Sequence, residues 1–400
     1  MSEQDADAVV VRAPMTARDR KEPNRTATTL ELFFDLCFVV AVAQAAASLA
    51  HSVTHGHTLS GLGHYALVFF LLWWSWMTFT WFASAYDNDD VLYRIAVLIQ
   101  MTGALVMAAG VPNAFAGKWE LLTAGYAIMR FALISLWLRV AHDSTDRAGR
   151  TVALRYAGSF ALLQIGWIGR LWLAPAPSLA MMGILMVVEL CVPAFADGGR
   201  KSWHPQHITE RLGLFSLIVL GETVKSGTYA LEEGEAGGTM LRMSLLVAGS
   251  LLTVFSMWWM YFAKPSEVLV RHYWQSIVWG YGHYFILGSA AAVGAGIEIG
   301  AAAITHHSQA PGIEGAAVFT AATAVFIIVT WLLHIRPHGD QPTTSAVTLF
   351  ATSALILAST ALPSPYLATG ALMTVLLVMA LKGRSAARRP SSDPDDGQAA

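Results

Sequence analysis

The sequence predicts an all-α membrane protein with about twelve transmembrane helices, arranged as two parallel six-helix repeats with both termini in the cytoplasm. Three observations support this fold class. Long apolar segments recur along the chain, charged residues make up only 13% of it, and the basic residues collect in alternate connections. Soluble domains carry about 25% charged residues, and the mean hydropathy of +0.50 also favours a membrane protein.

The apolar segments define the predicted helices. A helix needs roughly 20 apolar residues to cross a hydrocarbon core about 30 Å thick. Segments of this kind occur at residues 30–50, 64–83, 91–110, 119–140, 152–172, 178–196, 207–227, 240–262, 274–302, 315–335, 344–362 and 366–382. The connections are too short to hold a soluble domain. The polar tails, residues 1–28 and 384–400, have the composition of disordered cytoplasmic segments.

The 25 Lys and Arg residues indicate the orientation of these helices. If the N-terminus lies inside, the basic residues on the outer side are Lys118, Arg170, Lys225 and Arg242, while Arg130 lies within a helix. All the others fall on the inner side. Because basic residues favour the cytoplasmic side of a membrane, we expect both termini in the cytoplasm.

The two halves of the chain resemble each other. Residues 30–33 at the start of crossing 1 align with residues 209–212 at the start of crossing 7, and residues 81–83 align with residues 261–263. Six crossings per half is an even number, so both halves keep the same orientation, as in many duplicated transporters. The predicted repeats are residues 29–198 and 199–383.

Charged side chains inside the predicted crossings are the first functional candidates. Such a side chain at the bilayer centre costs roughly 2.5–3.5 kcal/mol on insertion scales, so it needs a partner, water or a role. Counting from the helix ends places Arg130 and Glu189 near the midplane, and we hypothesise that they neutralise each other. His283 lies at a similar depth and could titrate near neutral pH. The alternative is a structural ion pair and a buried core histidine.

Two carboxylates begin the first crossing. Glu31 and Asp35 are four residues apart and therefore share one helix face. Thr28 and Glu31 also match a capping box, in which Glu31 only closes the helix start. Asp35 has no such structural explanation, because it lies further in among phenylalanines, and it is the better functional candidate.

Crossings 7 and 9 add further charges. Glu222 can pair along its helix with Lys225, three residues away, and Glu298 lies near the outer end of crossing 9. The complete candidate polar path comprises Glu31, Asp35, Arg130, Glu189, Glu210, Arg211, Glu222, His283 and Glu298.

Other clusters have structural interpretations. Residues 87–90, an acidic loop, should cap crossing 3, with Asp90 and Arg94 as an i,i+4 pair. Two clusters of tryptophans are typical of an aromatic belt at the membrane interface, with ligand stacking as the alternative. They comprise Trp73, Trp74, Trp76, Trp81, Trp258 and Trp259. Loop histidines match no closed metal site.

The chain contains no motif for nucleotide hydrolysis or standard hydrolase chemistry. We therefore expect no enzymatic activity, no cofactor, no bound metal and no nucleic-acid partner. The expected partners are the lipid bilayer and a small solute or ion, and a homo-oligomer remains open.

Four motifs resemble the bacterial low temperature requirement A family. They are residues 31–36 (Glu-Leu-Phe-Phe-Asp-Leu), residues 87–94 (Asp-Asn-Asp-Asp-Val-Leu-Tyr-Arg), residues 207–222 and residues 281–298. Their order and spacing extend over roughly residues 25–385, with Cys37 and Tyr93 as departures from the usual pattern. The resemblance implies a polytopic inner-membrane protein of bacteria that is associated with growth in the cold. It implies neither a substrate nor a reaction.

The leading functional hypothesis is a secondary transporter or ion-conducting protein, proton-coupled through the candidate polar path. The alternative is a non-transporting membrane component that senses or adjusts the state of the bilayer for growth in the cold. A third hypothesis, an intramembrane enzyme acting on a lipid, rests on the acidic loop alone.

Overall fold

The computed structural model describes residues 10–19, 22, 25–198, 203–236, 239–265, 267–270, 272–305, 308, 312–338 and 343–387. Within these residues the chain is helical, without β-strands, which confirms the predicted fold class at this level. The helices are α1 (Thr29–Thr54), α2 (Thr58–Tyr86), α3 (Val91–Phe115), α4 (Glu120–Asp143), α5 (Arg147–Gly169), α6 (Pro175–Asp197), α7 (Pro205–Ala236), α8 (Met240–Tyr261), α9 (Tyr273–Ile304), α10 (Gly312–Thr330), α11 (Thr343–Ala358) and α12 (Pro365–Ala387).

Each helix overlaps one predicted crossing. Among the described residues, 9 helices are long and apolar enough to cross a membrane, which supports a multi-pass membrane protein. Helices α5, α7 and α11 are outside that group: α5 and α7 carry several charged residues, and α11 has only 16 residues. The count of twelve crossings and the orientation of the termini therefore stay predictions.

The same helix pairings recur in both halves. Helix α1 packs on α3, and α3 on α4, just as α7 packs on α9, and α9 on α10. The halves meet where α1 and α2 contact α7 and α9. One contact breaks the correspondence, because α8 packs closely on α12 and α2 has no similar contact with α6 among the described residues. The repeat is consistent with this packing and stays a prediction.

Helices α2 and α9 are the most enclosed. In each, 83% of the apolar window is buried inside the protein. Trp73, Trp74 and Trp76 of α2 are all buried, so the predicted aromatic belt is wrong for these residues. A belt residue needs contact with the interface, whereas α2 is surrounded by other helices.

Helices α3 and α4 approach each other closely at glycines. A Cβ atom on Gly125 would lie 2.5 Å from the backbone nitrogen of Met107, and one on Gly103 would lie 2.8 Å from the carbonyl oxygen of Gly125. Small residues allow this approach, which is a common means of packing helices in lipid.

Part of the predicted N-terminal tail makes defined contacts with the helices. The Ala13 backbone N–H donates to Asp90 at 2.7 Å, and the Met15 N–H donates to Asp143 at 3.0 Å. Arg25 donates to the carbonyl of Ala83 at the end of α2, at 2.8 Å. For these residues the expectation of disorder has to be revised, because the segment satisfies buried carboxylates and helix-end carbonyls. Residues 1–9 and 388–400 lie outside the described residues.

The glycine contact provides a stability test. We expect Gly125→Ala to lower the free energy of unfolding by about 1–3 kcal/mol through overpacking. Gly158→Ala on α5 is the matched control, because no atom lies within 4 Å of a Cβ at that position. Thermal unfolding of the purified variants in detergent would measure both changes. Equal melting temperatures for the two variants would contradict the proposed close packing.

Candidate functional site

The first buried charge cluster joins α1 to α7. Arg211 of α7 makes a bidentate contact with Asp35, with Nη2 at 2.6 Å from Oδ1 and Nε at 3.2 Å from Oδ2. Its Nη1 lies 2.8 Å from Oε1 of Glu31, but without the alignment of a hydrogen bond. All three side chains are at most 1% exposed. One guanidinium therefore contacts two carboxylates, with two hydrogen bonds to Asp35 and an ionic contact with Glu31.

His207 and Trp76 complete this cluster, which we call the Asp35 cluster (Glu31, Asp35, Trp76, His207 and Arg211). Nε2 of His207 lies 3.2 Å from Oε2 of Glu31, and Nε1 of Trp76 donates to Asp35 at 2.7 Å. Nδ1 of His207 is buried without a hydrogen-bond partner among the described atoms. The imidazole can therefore accept a proton there, provided that water or a rearrangement then satisfies the new N–H group.

The local sequence explains this arrangement. Glu31 and Asp35 are four residues apart on α1, and His207 and Arg211 are four residues apart on α7, so each pair shares one helix face. The contacts run from residue 31 to 207 and from residue 35 to 211, so the facing segments run in the same direction. Thr28 also forms the predicted capping box with Glu31. Glu31 thus closes its helix and belongs to the cluster.

The second buried cluster lies within the first half. Arg130 of α4 and Glu189 of α6 form the hypothesised salt bridge, with Nη2 at 2.5 Å from Oε2. Arg130 also donates to Thr78 of α2 at 3.2 Å, and its guanidinium lies 4.4 Å from the ring centre of Phe160. The two charged groups are 2% and 1% exposed, so nearly all of their solvation comes from the protein.

Glu189 is surrounded by further donors. Tyr126 donates to it at 2.6 Å, Trp167 donates at 2.9 Å, and Trp74 makes a short hydrogen bond to it. These donors and Arg130 hold the carboxylate fixed in place. We call this group the Glu189 cluster (Trp74, Tyr126, Arg130, Trp167 and Glu189). Its charges balance one to one.

Helix α2 separates the two clusters. Trp74 donates to Glu189 and Trp76 donates to Asp35. Side chains two positions apart point to nearly opposite sides of a helix. The indoles of Trp74 and Trp76 therefore donate to different carboxylates, which lie on nearly opposite sides of α2.

His283 belongs to a third group with His334 and Tyr261. Its Nδ1 lies 2.7 Å from the Trp279 carbonyl, so this nitrogen carries the proton and donates. Its Nε2 lies 3.0 Å from the Tyr261 hydroxyl and 3.3 Å from Nε2 of His334. His334 is placed there by a π-helical turn, Trp331–Ile335, that continues α10. Such turns often occur at functional sites.

The remaining candidates lie elsewhere. Glu222 and Glu298 line one cavity between α1, α7 and α9, of about 270 Å³ counting its open mouth. Ser226 donates to Glu298 at 2.9 Å, and Lys225 forms the predicted pair with Glu222 at 2.9 Å. Glu210 accepts a hydrogen bond from the backbone of Ala27 at 3.3 Å. The nine candidates thus fall into separate groups.

The acidic loop that follows α2 is close to the Asp35 cluster. Asp90 caps α3 as predicted, accepting from the Tyr93 N–H at 2.8 Å. The predicted pair with Arg94 is wrong: Arg94 pairs with Asp89 at 2.7 Å, and Asp90 pairs with Arg139. A capping side chain turns back toward the helix start, so it cannot follow the helix face to position 94.

Two carboxyl groups of this loop have opposite pKa shifts. Burial and the negative charge of Glu31 raise the pKa of Asp87 to about 6, against the opposing effect of Arg18. Burial also acts on Asp90, but hydrogen bonds from Arg139 and from two backbone N–H groups lower its pKa to about 2. Asp87 is therefore the loop carboxyl that can change its protonation near physiological pH.

Sequence reasoning missed several members of these clusters. His207 could have been found, because it lies four residues before Arg211 on the same helix face, and Tyr126 has the same relation to Arg130. Nothing local pointed to Trp167 or His334, whose contacts come from helices distant in the sequence.

A comparison with known protein families identifies the family of this chain. The family model for the bacterial low temperature requirement A protein (LtrA) matches residues 26–381. The chain belongs to the LtrA family. The Asp35, Glu189 and His283 groups all lie inside the region shared with LtrA proteins.

One curated relative adds sequence similarity without a function. The chain is 29% identical over 247 residues to the uncharacterized protein RA0937 of Rhizobium meliloti (strain 1021). The match covers 59% of this LtrA chain and 58% of the relative, so it spans little more than half of either protein. No solved structure matches the chain.

We predict a strong coupling energy between Arg130 and Glu189. We expect Arg130→Met or Glu189→Leu alone to lower the free energy of unfolding by about 3–5 kcal/mol, because each leaves an uncompensated buried charge. The double variant should lose clearly less stability than the sum of the two single losses. Denaturant unfolding in detergent would measure all three free energies of unfolding. The exposed pair Asp89–Arg94 is the control, for which we expect additive changes. Additive losses at positions 130 and 189 would contradict the pairing.

Asp87 predicts a pH dependence of stability. Its raised pKa means that the folded state keeps a proton that the unfolded state loses near pH 4. The stabilisation of the folded state by this proton is therefore fully present below that pH, and it is lost as the pH rises through about 6. Asp87→Asn should gain stability relative to wild type between pH 4.5 and 7.5, by on the order of 2 kcal/mol.

Thermal unfolding across this pH range would measure the effect. Asp89→Asn, which removes the same charge from an exposed position of the same loop, is the control variant. Parallel profiles for wild type and Asp87→Asn would contradict the assignment.

Proposed function

We propose that the protein is a proton-coupled secondary transporter of a small solute or ion. It acts in the inner membrane with both termini in the cytoplasm, and it catalyses no chemical conversion. Its partners are the lipid bilayer and the transported solute. The Asp35 cluster is the observation that carries this proposal.

Charge balance is the first argument. Within salt-bridge distance, and among the described residues, Glu31 and Asp35 share Arg211 as their one permanently charged partner. With His207 neutral, the cluster carries one excess negative charge at almost complete burial. An uncompensated buried charge is costly, and one proton on His207 or on a carboxyl group would neutralise it. We therefore propose that the transported proton binds at this location.

A second argument is access. His204 lies directly before the start of α7: its Nδ1 accepts from the backbone N–H of His207 at 3.4 Å, and its Nε2 lies 2.9 Å from the backbone carbonyl oxygen of Glu22. The Glu22 side chain is 37% exposed. A second imidazole thus lies between the exposed Glu22 and the cluster, and proton paths in transporters use histidines and carboxylates of this kind.

A third argument is the location between the halves. Helix α1 belongs to the first half and α7 to the second, and they are held together here by ionic contacts that depend on protonation. Transporters with repeats change access by moving one half against the other around a site at their interface. A proton at His207 or Glu31 would alter the contact that must be broken in such a movement. The balanced Glu189 cluster instead stiffens the first half.

The test is reconstitution into liposomes that contain a pH-sensitive dye. With an imposed pH gradient and a panel of amino acids, sugars, amines and inorganic ions, we expect wild type to give solute-dependent proton flux. Asp35→Asn should reduce this flux at least tenfold, because a neutral amide removes the charge imbalance. Asp89→Asn in the exposed loop is the matched control and should retain the flux.

Thermal unfolding of each variant would establish that it is folded, since Arg211 keeps Glu31 as a partner in Asp35→Asn. Wild-type flux equal to that of protein-free liposomes across the whole panel would overturn the proposal. Altered lipid composition in a deletion strain, combined with that absence of flux, would favour the second candidate function, a component that adjusts the bilayer for growth in the cold. The family description is the observation that favours this candidate.

A further inference from the structure

The segment before α1 is bound across one end of the helix bundle. We call it the N-terminal strap, and its described part comprises residues 10–19, 22 and 25–28. This part contains no helix or strand. It nevertheless makes hydrogen bonds along most of its length, and Met15 is 1% exposed within the hydrophobic core. These contacts offset the entropy that is lost when an irregular segment is held in one conformation.

The first part of the strap crosses the end of α2 and the start of α3. The carbonyl groups of residues 10 and 11 accept from the first two N–H groups of α3, at 3.2 and 3.4 Å. The Arg18 N–H donates to the carbonyl of Ala85 near the end of α2, at 2.9 Å. Helix ends leave such backbone groups without partners inside the helix. The strap satisfies them in place of water.

The second part of the strap lies against the Asp35 cluster. The Glu22 carbonyl oxygen is 2.9 Å from Nε2 of His204. The Ala27 N–H donates to Glu210 at 3.3 Å. These two partners come three residues before and three residues after His207, which belongs to the cluster. The strap therefore covers the end of the cluster at which α7 begins.

Arg25 is the most deeply buried charged residue of the strap, at 5% exposure. Its guanidinium donates to the carbonyl of Ala83 at 2.8 Å and makes a short hydrogen bond to the carbonyl of Ser84. These carbonyls belong to the last turn of α2, where the helix dipole is negative. The charge of Arg25 also acts on Glu31 and His207. Arg25 therefore anchors the strap to α2 beside the Asp35 cluster.

The strap connects the two halves of the chain. Its contacts with α2, α3 and α4 belong to the first half, whereas those with His204 and Glu210 belong to the second. A movement that separates the halves on this side has to break one of these sets. The ion pair of Arg12 with Asp143 is the easiest to break, because Arg12 is half exposed and water can replace its partner.

We propose that the N-terminal strap is a closing device for the Asp35 cluster. While bound, it shields the cluster from water on the side where α1 and α7 begin, and its release opens the cluster on that side. The inference concerns the access of water to the cluster. It does not depend on the transport proposal, because it holds whether or not a solute crosses the membrane.

Thiol labelling of purified protein in detergent tests this shielding. Ser84 is the reporter position, since it is 1% exposed and its Oγ accepts from the His204 N–H at 2.9 Å beneath the strap. Ser84→Cys is introduced into a chain in which Cys37 and Cys191 are replaced by alanine. A hydrophilic methanethiosulfonate reagent then measures how readily water reaches this position. With the strap intact we expect slow labelling.

Arg25→Gln removes the anchor of the strap. It should raise the labelling rate of Ser84→Cys by about tenfold or more, because a hydrogen bond from a charged donor is among the stronger contacts of a folded chain. Arg94→Gln is the matched control variant and should leave the rate unchanged. Arg94 lies at the start of α3, is 57% exposed and pairs with Asp89 outside the strap.

A second reporter separates release of the strap from general loosening. Ser276 is 2% exposed near the start of α9, where it donates to the carbonyl of Val270 at 2.9 Å. Labelling of Ser276→Cys should stay slow when Arg25→Gln is introduced. Equal acceleration at both reporter positions would show loosening of the whole fold and would overturn the proposal.

The double variant Arg12→Gln/Arg18→Gln keeps the test decisive. Both side chains are at least one-third exposed, so their replacement costs little stability, and it removes the contact of Arg12 with Asp143. This variant should raise the labelling rate of Ser84→Cys about threefold or more. Thermal unfolding would show whether Arg25→Gln is folded, and if it is not, the double variant decides alone. Unchanged labelling in every folded strap variant would overturn the proposal.

Discussion

The centre of this structure depends on the ionic contacts of Arg211 with Glu31 and Asp35. A guanidinium stays charged at any physiological pH, so a buried arginine needs hydrogen-bond acceptors or carboxylates around it. Here the carboxylates come from another helix, and α1 and α7 are thereby held together in one register. Loss of the carboxylates would leave the arginine charge without compensation, which costs far more than the intact contact contributes.

The two ionic clusters differ in their charge balance and in the helices that they join. The Glu189 cluster joins helices of the first half, its charges balance, and its carboxylate is surrounded by donors. The Asp35 cluster joins the two halves, has one carboxylate too many for its arginine, and includes a histidine. The proton site that we propose is therefore the second arrangement.

Helix α2 explains how both clusters fit in one bundle. It is enclosed on all sides, and it presents Trp74 to one carboxylate and Trp76 to the other. Tryptophan suits this position, because it fills the volume between helices and still supplies one polar hydrogen. Further along the same helix, Trp81 packs against Trp203 and Tyr281. Functional candidates thus surround a helix that contains no ionisable residue between Tyr65 and Tyr86.

The sequence by itself determined the helical fold class, the twelve segments and the residues whose burial must be costly, because apolar length and the price of buried charge are local properties. It also indicated the capping box at Glu31, the Arg130–Glu189 pair and the family. Only the tertiary structure decided that Asp35 pairs with Arg211, that Trp73, Trp74 and Trp76 face protein, and that the segment before α1 lies against the Asp35 cluster. These outcomes depend on which helices become neighbours, and hydropathy does not encode that choice.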